Sequence, residues 1–144
     1  MKHDNDEIAG DLRVVLSRLI KIMRNETRND NPLSMTERST LALVYQSTEI
    51  LPSELAAMEK VTSQSMSQII NKLFKMGFIK KTPSSEDKRK VIITITAAGK
   101  KFVEKRRTEK QEWLTKSILE KTTQKEKEIL VNAIKVLTKL VDLK

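Results

Sequence analysis

The fold of this chain is indicated most clearly by residues 62–99, TSQSMSQIINKLFKMGFIKKTPSSEDKRKVIITITAAG. Its first part has the composition of a helix and ends at Gly77. Two β-forming runs follow, FIKKT and KVIITIT, and the charged turn PSSEDKRK joins them. A helix followed by a β-hairpin with a basic tip is the outline of a winged helix. This pattern predicts a compact lobe of a kind that usually binds DNA.

The charge of the chain is concentrated in the same segment. Residues 60–110 hold 14 Lys/Arg and four Asp/Glu, whereas the remaining residues hold 14 and 15. The net charge of +9 therefore belongs to the hairpin and its neighbours. Phosphate backbones attract such a basic patch whatever their base sequence.

The predicted helix after Thr62 has two distinct faces. One face is apolar, with helical spacing, and should pack inward; it carries Met66, Ile69, Ile70 and Leu73. The other face holds amides, a hydroxyl and one cation, and it has no carboxylate to repel phosphate; it carries Gln64, Ser67, Gln68, Asn71 and Lys75. Thr62 should cap the helix, and Gly77 should end it.

We expect this helix and the hairpin to contact DNA. The first turns of such a helix enter the groove, so the residues predicted near bases are Ser63, Gln64, Ser65, Ser67 and Gln68, and Thr62 and Asn71 complete the helix surface. Lys72 and Lys75 should touch phosphates. In the hairpin tip, Arg89 should reach the minor groove or the backbone, and Lys88 and Lys90 should contact phosphates.

Two further details of the basic segment belong to the same prediction. A carboxylate beside DNA is unfavourable, so Asp87 should pair with Arg89 or with a nearby backbone amide to hold the turn. Lys80 and Lys81, on the first β run, are either phosphate contacts or solvated side chains.

The rest of the chain reads as amphipathic helices. Helices are predicted over 7–28, from Thr36, from Pro52, after Thr96 and after Thr122-Thr123. Residues 1–32 and 113–144 have more apolar surface than a small lobe could cover, which predicts a two-fold dimer built from these end helices. Residues 33–99 form the winged helix-turn-helix lobe, and residues 100–112 connect the two parts along one long helix. The predicted fold class is mainly α with a small β-hairpin wing.

Other classes of protein fit this sequence poorly. Without cysteine, disulfides, thiolate metal sites and thiol redox sensing are excluded, and the only histidine is His3. No glycine-rich phosphate loop, nucleophile–histidine pair or metal-ligand spacing occurs, so we predict no enzyme, no catalytic residue, no metal and no cofactor. No apolar run reaches the roughly 20 residues of a membrane span, and the polar start MKHDNDE is not a signal peptide. We expect a cytoplasmic protein.

The chain resembles the MarR family of bacterial winged-helix regulators from about Ile8 to Val141. The resemblance is strongest at the wing: the family's Asp-x-Arg turn, strand and Leu-Thr-x-x-Gly pattern stands here as Asp87-Lys88-Arg89, VIIT and Ile95-Thr96-Ala97-Ala98-Gly99. Three further matches, in the family's order, are Leu55-Ala56, Thr62-Ser63-Gln64-Ser65 and Leu73-Phe-Lys-Met-Gly77-Phe78-Ile79.

The sequence departs from the family pattern at two places. Glu59 and Lys60 stand where an apolar residue and a glycine are common before the recognition helix. Gln68 stands where the family often has an arginine. Paired amide side chains favour adenine edges, so we expect an A/T-rich site.

The resemblance implies a homodimer, most often a repressor, that binds pseudo-palindromic promoter DNA. It also implies a small-molecule effector, phenolic or otherwise lipophilic, in the site that family members have between the dimer helices and the DNA-binding lobe. Two alternatives stay open at this point. One is an architectural binder of double-stranded DNA; the other is a winged-helix protein–protein adaptor without an effector.

Overall fold

The structure is a computed structural model that describes residues 2–26 and 32–142. In this part of the chain it is mainly helical with one antiparallel hairpin, which confirms the predicted fold class. Its elements are α1 (Asn5–Glu26), α2 (Met35–Gln46), α3 (Pro52–Glu59), α4 (Ser63–Lys75), β1 (Ile79–Pro83), β2 (Val91–Ile95), α5 (Ala97–Lys121) and α6 (Gln124–Val141).

The chain forms two compact units. One unit is Thr27–Thr108; it contains the residues predicted to contact DNA and is called the DNA-binding lobe below. The other is Met1–Glu26 with Glu109–Lys144 and is called the helical unit. The predicted winged-helix region, residues 33–99, falls within the first of these. Residues 27–31, which hold the predicted end of the first helix, lie outside the described residues.

The start of α2 differs from the prediction. Ser34, and not Thr36, is its N-cap. The Ser34 hydroxyl accepts from the Glu37 amide at 3.2 Å, and the Glu37 carboxylate accepts from the Ser34 amide at 2.8 Å. This reciprocal capping box pairs two backbone donors that would otherwise be open, and it leaves Thr36 inside the first turn.

The core of the DNA-binding lobe joins every element of the winged helix. Its buried apolar side chains are Leu33, Leu41, Val44, Ile50, Leu55, Ala56, Met66, Ile70, Leu73, Ile79, Ile93 and Val103. Ile69, which was predicted to face inward, is partly buried and packs against this core. The inward face of α4 is therefore the predicted one.

The wing is attached to the core through one central strand. β1 and β2 pair antiparallel in a register that runs from Ile79 opposite Ile95 to Pro83 opposite Val91. On the other side of β2, Ile93 exchanges backbone hydrogen bonds with Ile50, at 2.8 and 3.2 Å. Ile79 and Ile93 are both buried, so the base of the hairpin is fixed while its tip extends outward.

The end of α4 is locked to the start of α5. Gly77 takes a φ of 79°, as predicted for the residue that ends the helix. Thr96 caps α5: its hydroxyl donates to the Gly77 carbonyl at 2.6 Å and accepts from the Gly99 amide at 3.0 Å. A Cβ on Gly99 would lie 2.2 Å from the Phe78 carbonyl oxygen. Glycine is required there because the two backbones pass too close for any side chain.

The helical unit has a different character. Neither α1 nor α6 contains a buried residue. The helix α6 is well formed locally, since Thr123 and Glu126 make a capping box at its start. Its apolar side chains nevertheless remain largely exposed within the single chain, as do those of α1.

Candidate nucleic-acid interface

The outward face of α4 is exposed and free of carboxylates. Met66, Ile70 and Leu73 turn into the core, so the predicted contact residues take the opposite side. All of them on this helix are exposed: Thr62, Ser63, Gln64, Ser65, Ser67, Gln68, Asn71, Lys72 and Lys75. The structure therefore places these side chains on one solvent-facing surface, while their contacts with DNA stay predictions.

The hydroxyl groups at the start of α4 serve the helix itself. The Thr62 hydroxyl accepts from the Ser65 amide at 3.0 Å and donates to the Ser65 hydroxyl at 3.0 Å. The Ser67 hydroxyl donates to the Ser63 carbonyl at 2.9 Å. These bonds use the donor hydrogens of Thr62 and Ser67 and leave the hydroxyls as acceptors. Gln64 and Gln68 make no comparable bond within the described chain, so their amides present both a donor and an acceptor outward.

Lys72 is held by an ion pair inside the lobe. Its ammonium lies 2.8 Å from a carboxylate oxygen of Glu37 and 3.3 Å from the Pro32 carbonyl. Burial alone would raise the pKa of Glu37, which is only 8% exposed, but the hydrogen bonds from Lys72 and Ser34 outweigh it and lower the pKa. The pair ties α4 to the start of α2. A phosphate contact by Lys72 would have to share this ammonium.

Asn71 is joined to the wing. The Lys81 ammonium, on β1, donates to the Asn71 side-chain oxygen at 2.6 Å and lies 4.8 Å from the centre of the Phe74 ring. A hollow of about 150 Å³ adjoins this contact, and it is lined by Pro52, Ser67, Ile70, Asn71, Lys81, Val91 and Ile93. The amide-bearing face of α4 and the strand β1 of the wing thus share one surface.

The wing tip is organised by Asp87, as predicted. One oxygen of its carboxylate accepts from the Arg89 backbone amide at 3.0 Å and from the Arg89 Nε at 3.4 Å. The Ser84 hydroxyl accepts from the amides of Glu86 and Asp87, and the Ser84 amide donates to the Lys90 carbonyl at 2.8 Å. The Arg89 side chain is 92% exposed, and Lys88 and Lys90 are exposed beside it.

The turn between α3 and α4 keeps a left-handed residue without glycine. Lys60 takes φ 55° and ψ 44° as the C-cap of α3. This is the conformation that glycine adopts most easily. The Glu59 carboxylate accepts a hydrogen bond from the Ser39 hydroxyl of α2. Lys60 thus takes the backbone conformation that favours glycine, and Glu59 adds a contact between the end of α3 and α2.

The first turns of α5 are braced against the lobe by contacts that the sequence did not reveal. The Tyr45 hydroxyl donates to the Glu104 carboxylate at 3.0 Å, which raises the pKa of Tyr45. The Arg107 guanidinium lies 4.5 Å from the centre of the same ring. Phe78 and Phe102 stack with centroids 4.7 Å apart. No local pattern in the sequence indicates these partners, because Tyr45 and Glu104 are 59 positions apart.

In residues 2–26 and 32–142, no three His, Asp or Glu side chains are grouped so that they could hold a metal ion. None of the helices over those residues combines the length and the apolar composition that a membrane crossing requires.

Comparison with known proteins agrees with this geometry. The sequence profile of the MarR family matches residues 33–91, from the start of the lobe to the wing. An HTH-type transcriptional regulator of Mycobacterium leprae is 31% identical over 141 residues, which is 96% of each chain. This chain belongs to the MarR family. It is a DNA-binding transcriptional regulator and not an enzyme, as the sequence predicted.

Solved structures show the same fold over almost the whole chain. A transcriptional regulator from Pseudomonas aeruginosa superposes with a TM-score of 0.85 at 21% identity, covering 99% of this chain and 100% of that one. A mutant of MarR from Escherichia coli has a TM-score of 0.73 at 17% identity, covering 96% and 98%. Because these likenesses extend beyond residues 33–91, the end helices belong to the shared fold as much as the lobe does.

Proposed function

We propose that this regulator is a homodimeric repressor that binds pseudo-palindromic promoter sites and responds to a small molecule. In this proposal residues 1–32 and 113–144 supply the dimerisation helices, residues 33–99 read DNA, and residues 100–112 connect them. The observation that carries it is the unpartnered apolar surface of the helical unit.

That surface is large for a single chain. Within the described chain, 18 large apolar side chains are exposed, and 14 of them lie in α1, α6 and the second half of α5. Apolar surface on this scale marks an interaction site. A second copy of the chain has the same exposed apolar surface, and a two-fold axis lets the identical surfaces of the two copies cover each other.

A dimer also explains how a short helix could specify a promoter. Each protomer presents one α4 with Gln64 and Gln68 available for base contacts, and a two-fold pair would reach two half-sites about one turn of DNA, roughly 34 Å, apart. Arg89 and its lysine neighbours at the wing tip add contacts to the backbone. Binding of this kind depends on both units of the chain.

Repression and effector response are the remaining parts of the proposal. A repressor needs only that its site overlaps a promoter, and family membership supports release by a small molecule. Without cysteine, the signal is not thiol oxidation. The cytoplasm is the proposed location, because the protein must reach chromosomal DNA.

Selection of bound sequences from a random double-stranded pool tests the DNA-binding part. We expect the full-length protein to enrich an inverted repeat with half-site centres about one helical turn apart. Binding without an enriched motif, but with a steep salt dependence, would indicate an architectural protein instead. No binding at low salt would indicate an adaptor.

Gel-shift titration on the selected site tests the effector part. Salicylate, as a simple phenolic probe, is added to the preformed complex alongside benzenesulfonate as an anion of similar size without the phenol. Release by salicylate alone supports a phenolic effector. Equal release by both anions contradicts specific recognition.

A further inference from the structure

The contact between Asn71 and Lys81 fixes which atoms of Asn71 face outward. Lys81 donates to Asn71 at 2.6 Å. An ammonium has only donor hydrogens, so the atom it meets must be the amide oxygen. This bond uses one of the two lone pairs of that oxygen and holds a cationic donor beside the other, whereas the side-chain NH₂ group keeps both of its hydrogens for other partners.

This arrangement separates Asn71 from the other amides of α4. Bidentate recognition of adenine requires one amide that accepts from N6 and donates to N7 at the same time. Gln64 and Gln68 keep both groups available within the described chain, whereas the oxygen of Asn71 faces the Lys81 ammonium, which crowds and repels a second donor such as the adenine N6 amino group. Asn71 lies three residues after Gln68 and four after Ser67, so it shares their face of the helix.

Lys81 is well placed to keep this contact. Its backbone belongs to β1, where it stands opposite the buried Ile93 in the strand register. Its ammonium is held from two sides, by the Asn71 oxygen and by the face of the Phe74 ring. A strand anchored in the core and a ring beneath the cation both favour the observed position over a freely solvated one.

We propose that Lys81 determines the base preference of Asn71, by disfavouring adenine at the amide oxygen and leaving the NH₂ group as a donor to base acceptors such as guanine O6 and N7 or thymine O4. Lys81 is then a positioning residue for DNA recognition. This inference rests on the proposed reading of DNA by α4. It also narrows the A/T preference expected from the sequence to the positions that Gln64 and Gln68 face.

The test is sequence selection with matched variants of the full-length protein. Lys81→Met keeps the length of the side chain and removes its donors, so the Asn71 oxygen becomes free. We expect adenine to rise about tenfold relative to the other bases at one symmetric pair of positions, as expected for one bidentate contact. Lys81→Arg keeps a cationic donor and should retain the wild-type profile.

A second variant separates this effect from loss of charge or from a loosened wing. Removing a cation weakens binding to all sequences alike and lowers the salt slope without changing the ranking of bases. In Lys81→Met/Asn71→Ala the adenine gain should disappear. A gain that persists in the double variant, or a Lys81→Met profile equal to wild type, overturns the proposal. So does an adenine preference of the wild type that Asn71→Ala removes.

Gln68→Ala, tested by selection from the same pool, distinguishes base reading by α4 from the role proposed for Lys81. If Gln68→Ala changes the profile and Lys81→Met does not, α4 reads DNA and the role given to Lys81 is wrong. If neither variant changes the profile, α4 does not read bases, and both the proposed function and this inference fail.

Discussion

The DNA-binding lobe and the helical unit solve the problem of burying apolar surface in opposite ways. The lobe closes a core of 12 buried apolar side chains within one chain. The helices α1 and α6 bury none and expose most of their apolar positions. The hydrophobic core of the lobe is therefore complete in one copy of the chain, whereas the helical unit leaves its apolar surface uncovered.

The two units also differ in charge. The basic segment, residues 60–110, lies in the lobe except for its last two residues, and the remaining sequence is close to neutral. In the proposed function, recognition of phosphate and bases thus belongs to the self-contained unit, and assembly belongs to the other. Variants placed in the two units should therefore affect different measurements.

Truncation of a matched isoleucine gives the largest expected contrast. Ile70 in α4 is 4% exposed and Ile134 in α6 is 60% exposed. Ile70→Ala should lower the free energy of unfolding by about 2–5 kcal/mol at every protein concentration, because it leaves a cavity. Ile134→Ala should have little effect in dilute monomer and a clear effect in concentrated protein. Urea unfolding at two protein concentrations measures the free energy of unfolding of both variants. Equal losses of stability in the two variants would contradict the contrast.

Adding one methyl group at a glycine should also separate the units. Gly99→Ala should cost about 2–3 kcal/mol, because its Cβ would meet the Phe78 carbonyl and the backbone must move. Gly10→Ala, in α1, meets nothing within 4 Å and should gain about 0.5–1 kcal/mol from helix propensity. Thermal unfolding measures the pair. A mild effect at Gly99 would show that α5 does not pack as described.

Removal of one amide should alter recognition without altering assembly. Gln68→Ala should change the preference for its base by about 1–3 kcal/mol, measured by competition between selected sites. Gln111→Ala, the same substitution on α5 of the helical unit, is the control and should leave the ranking of sites unchanged. Both variants should sediment as wild type. An unchanged ranking with Gln68→Ala would remove base reading from α4.

The ion pair of the lobe predicts a pH dependence. Glu37 has a lowered pKa in the folded state, so its stabilisation is present above the ordinary value of 4.5 and is lost as the pH falls through the lowered one. Glu37→Gln keeps a capping side chain and should cost about 1 kcal/mol at pH 7. Below the lowered pKa, the variant and the wild type should be equally stable.

A second capping box serves as the control for that pH dependence. Glu126 in α6 also has a lowered pKa, because of its hydrogen bonds to Thr123, but no lysine ion pair holds it in the described structure. Glu126→Gln should therefore cost less than Glu37→Gln at neutral pH. A loss in Glu37→Gln that stays constant while the pH falls from 7 through the lowered pKa of Glu37 would show that Lys72 does not stabilise the carboxylate.

The smallest effect is expected at the strained turn of the lobe. Lys60→Gly should raise the free energy of unfolding by about 0.5 kcal/mol, since glycine adopts a positive φ without a steric cost but loses more entropy on folding. Gly77→Ala, at the other positive φ of the described residues, should lower it by about 1 kcal/mol. Calorimetry of the two variants checks the signs. A loss in Lys60→Gly would mean that its side chain makes a stabilising contact.

Local sequence rules predicted much of this fold. The inward face of α4, the cap at Thr62, the helix starts after Thr96 and after Thr122-Thr123, and the turn at Gly77 depend on residues within a few positions of each other. The error at the start of α2 was also local: Ser34 and Glu37 have the spacing of a capping box, a stronger signal than the single hydroxyl of Thr36. Better use of that rule would have placed the helix correctly.

The pairs that shape the candidate interface could not be predicted in this way. Glu37 and Lys72 are 35 positions apart, and Tyr45 and Glu104 are 59 apart. Lys81 meets Asn71 only because β1 folds back beside α4. The sequence shows that each of these side chains carries a polar group, but their partners depend on how the helices and the wing pack. The difference between Asn71 and Gln68 appears only in three dimensions.

Sedimentation equilibrium of the full-length protein tests the central claim most directly, because it asks whether the helical unit is covered by a second copy. We expect a mass of twice the 16.5 kDa chain at micromolar concentration, and we expect the dimer to dissociate when Ile134 is replaced by Asp. A folded species of 16.5 kDa at every concentration would contradict it.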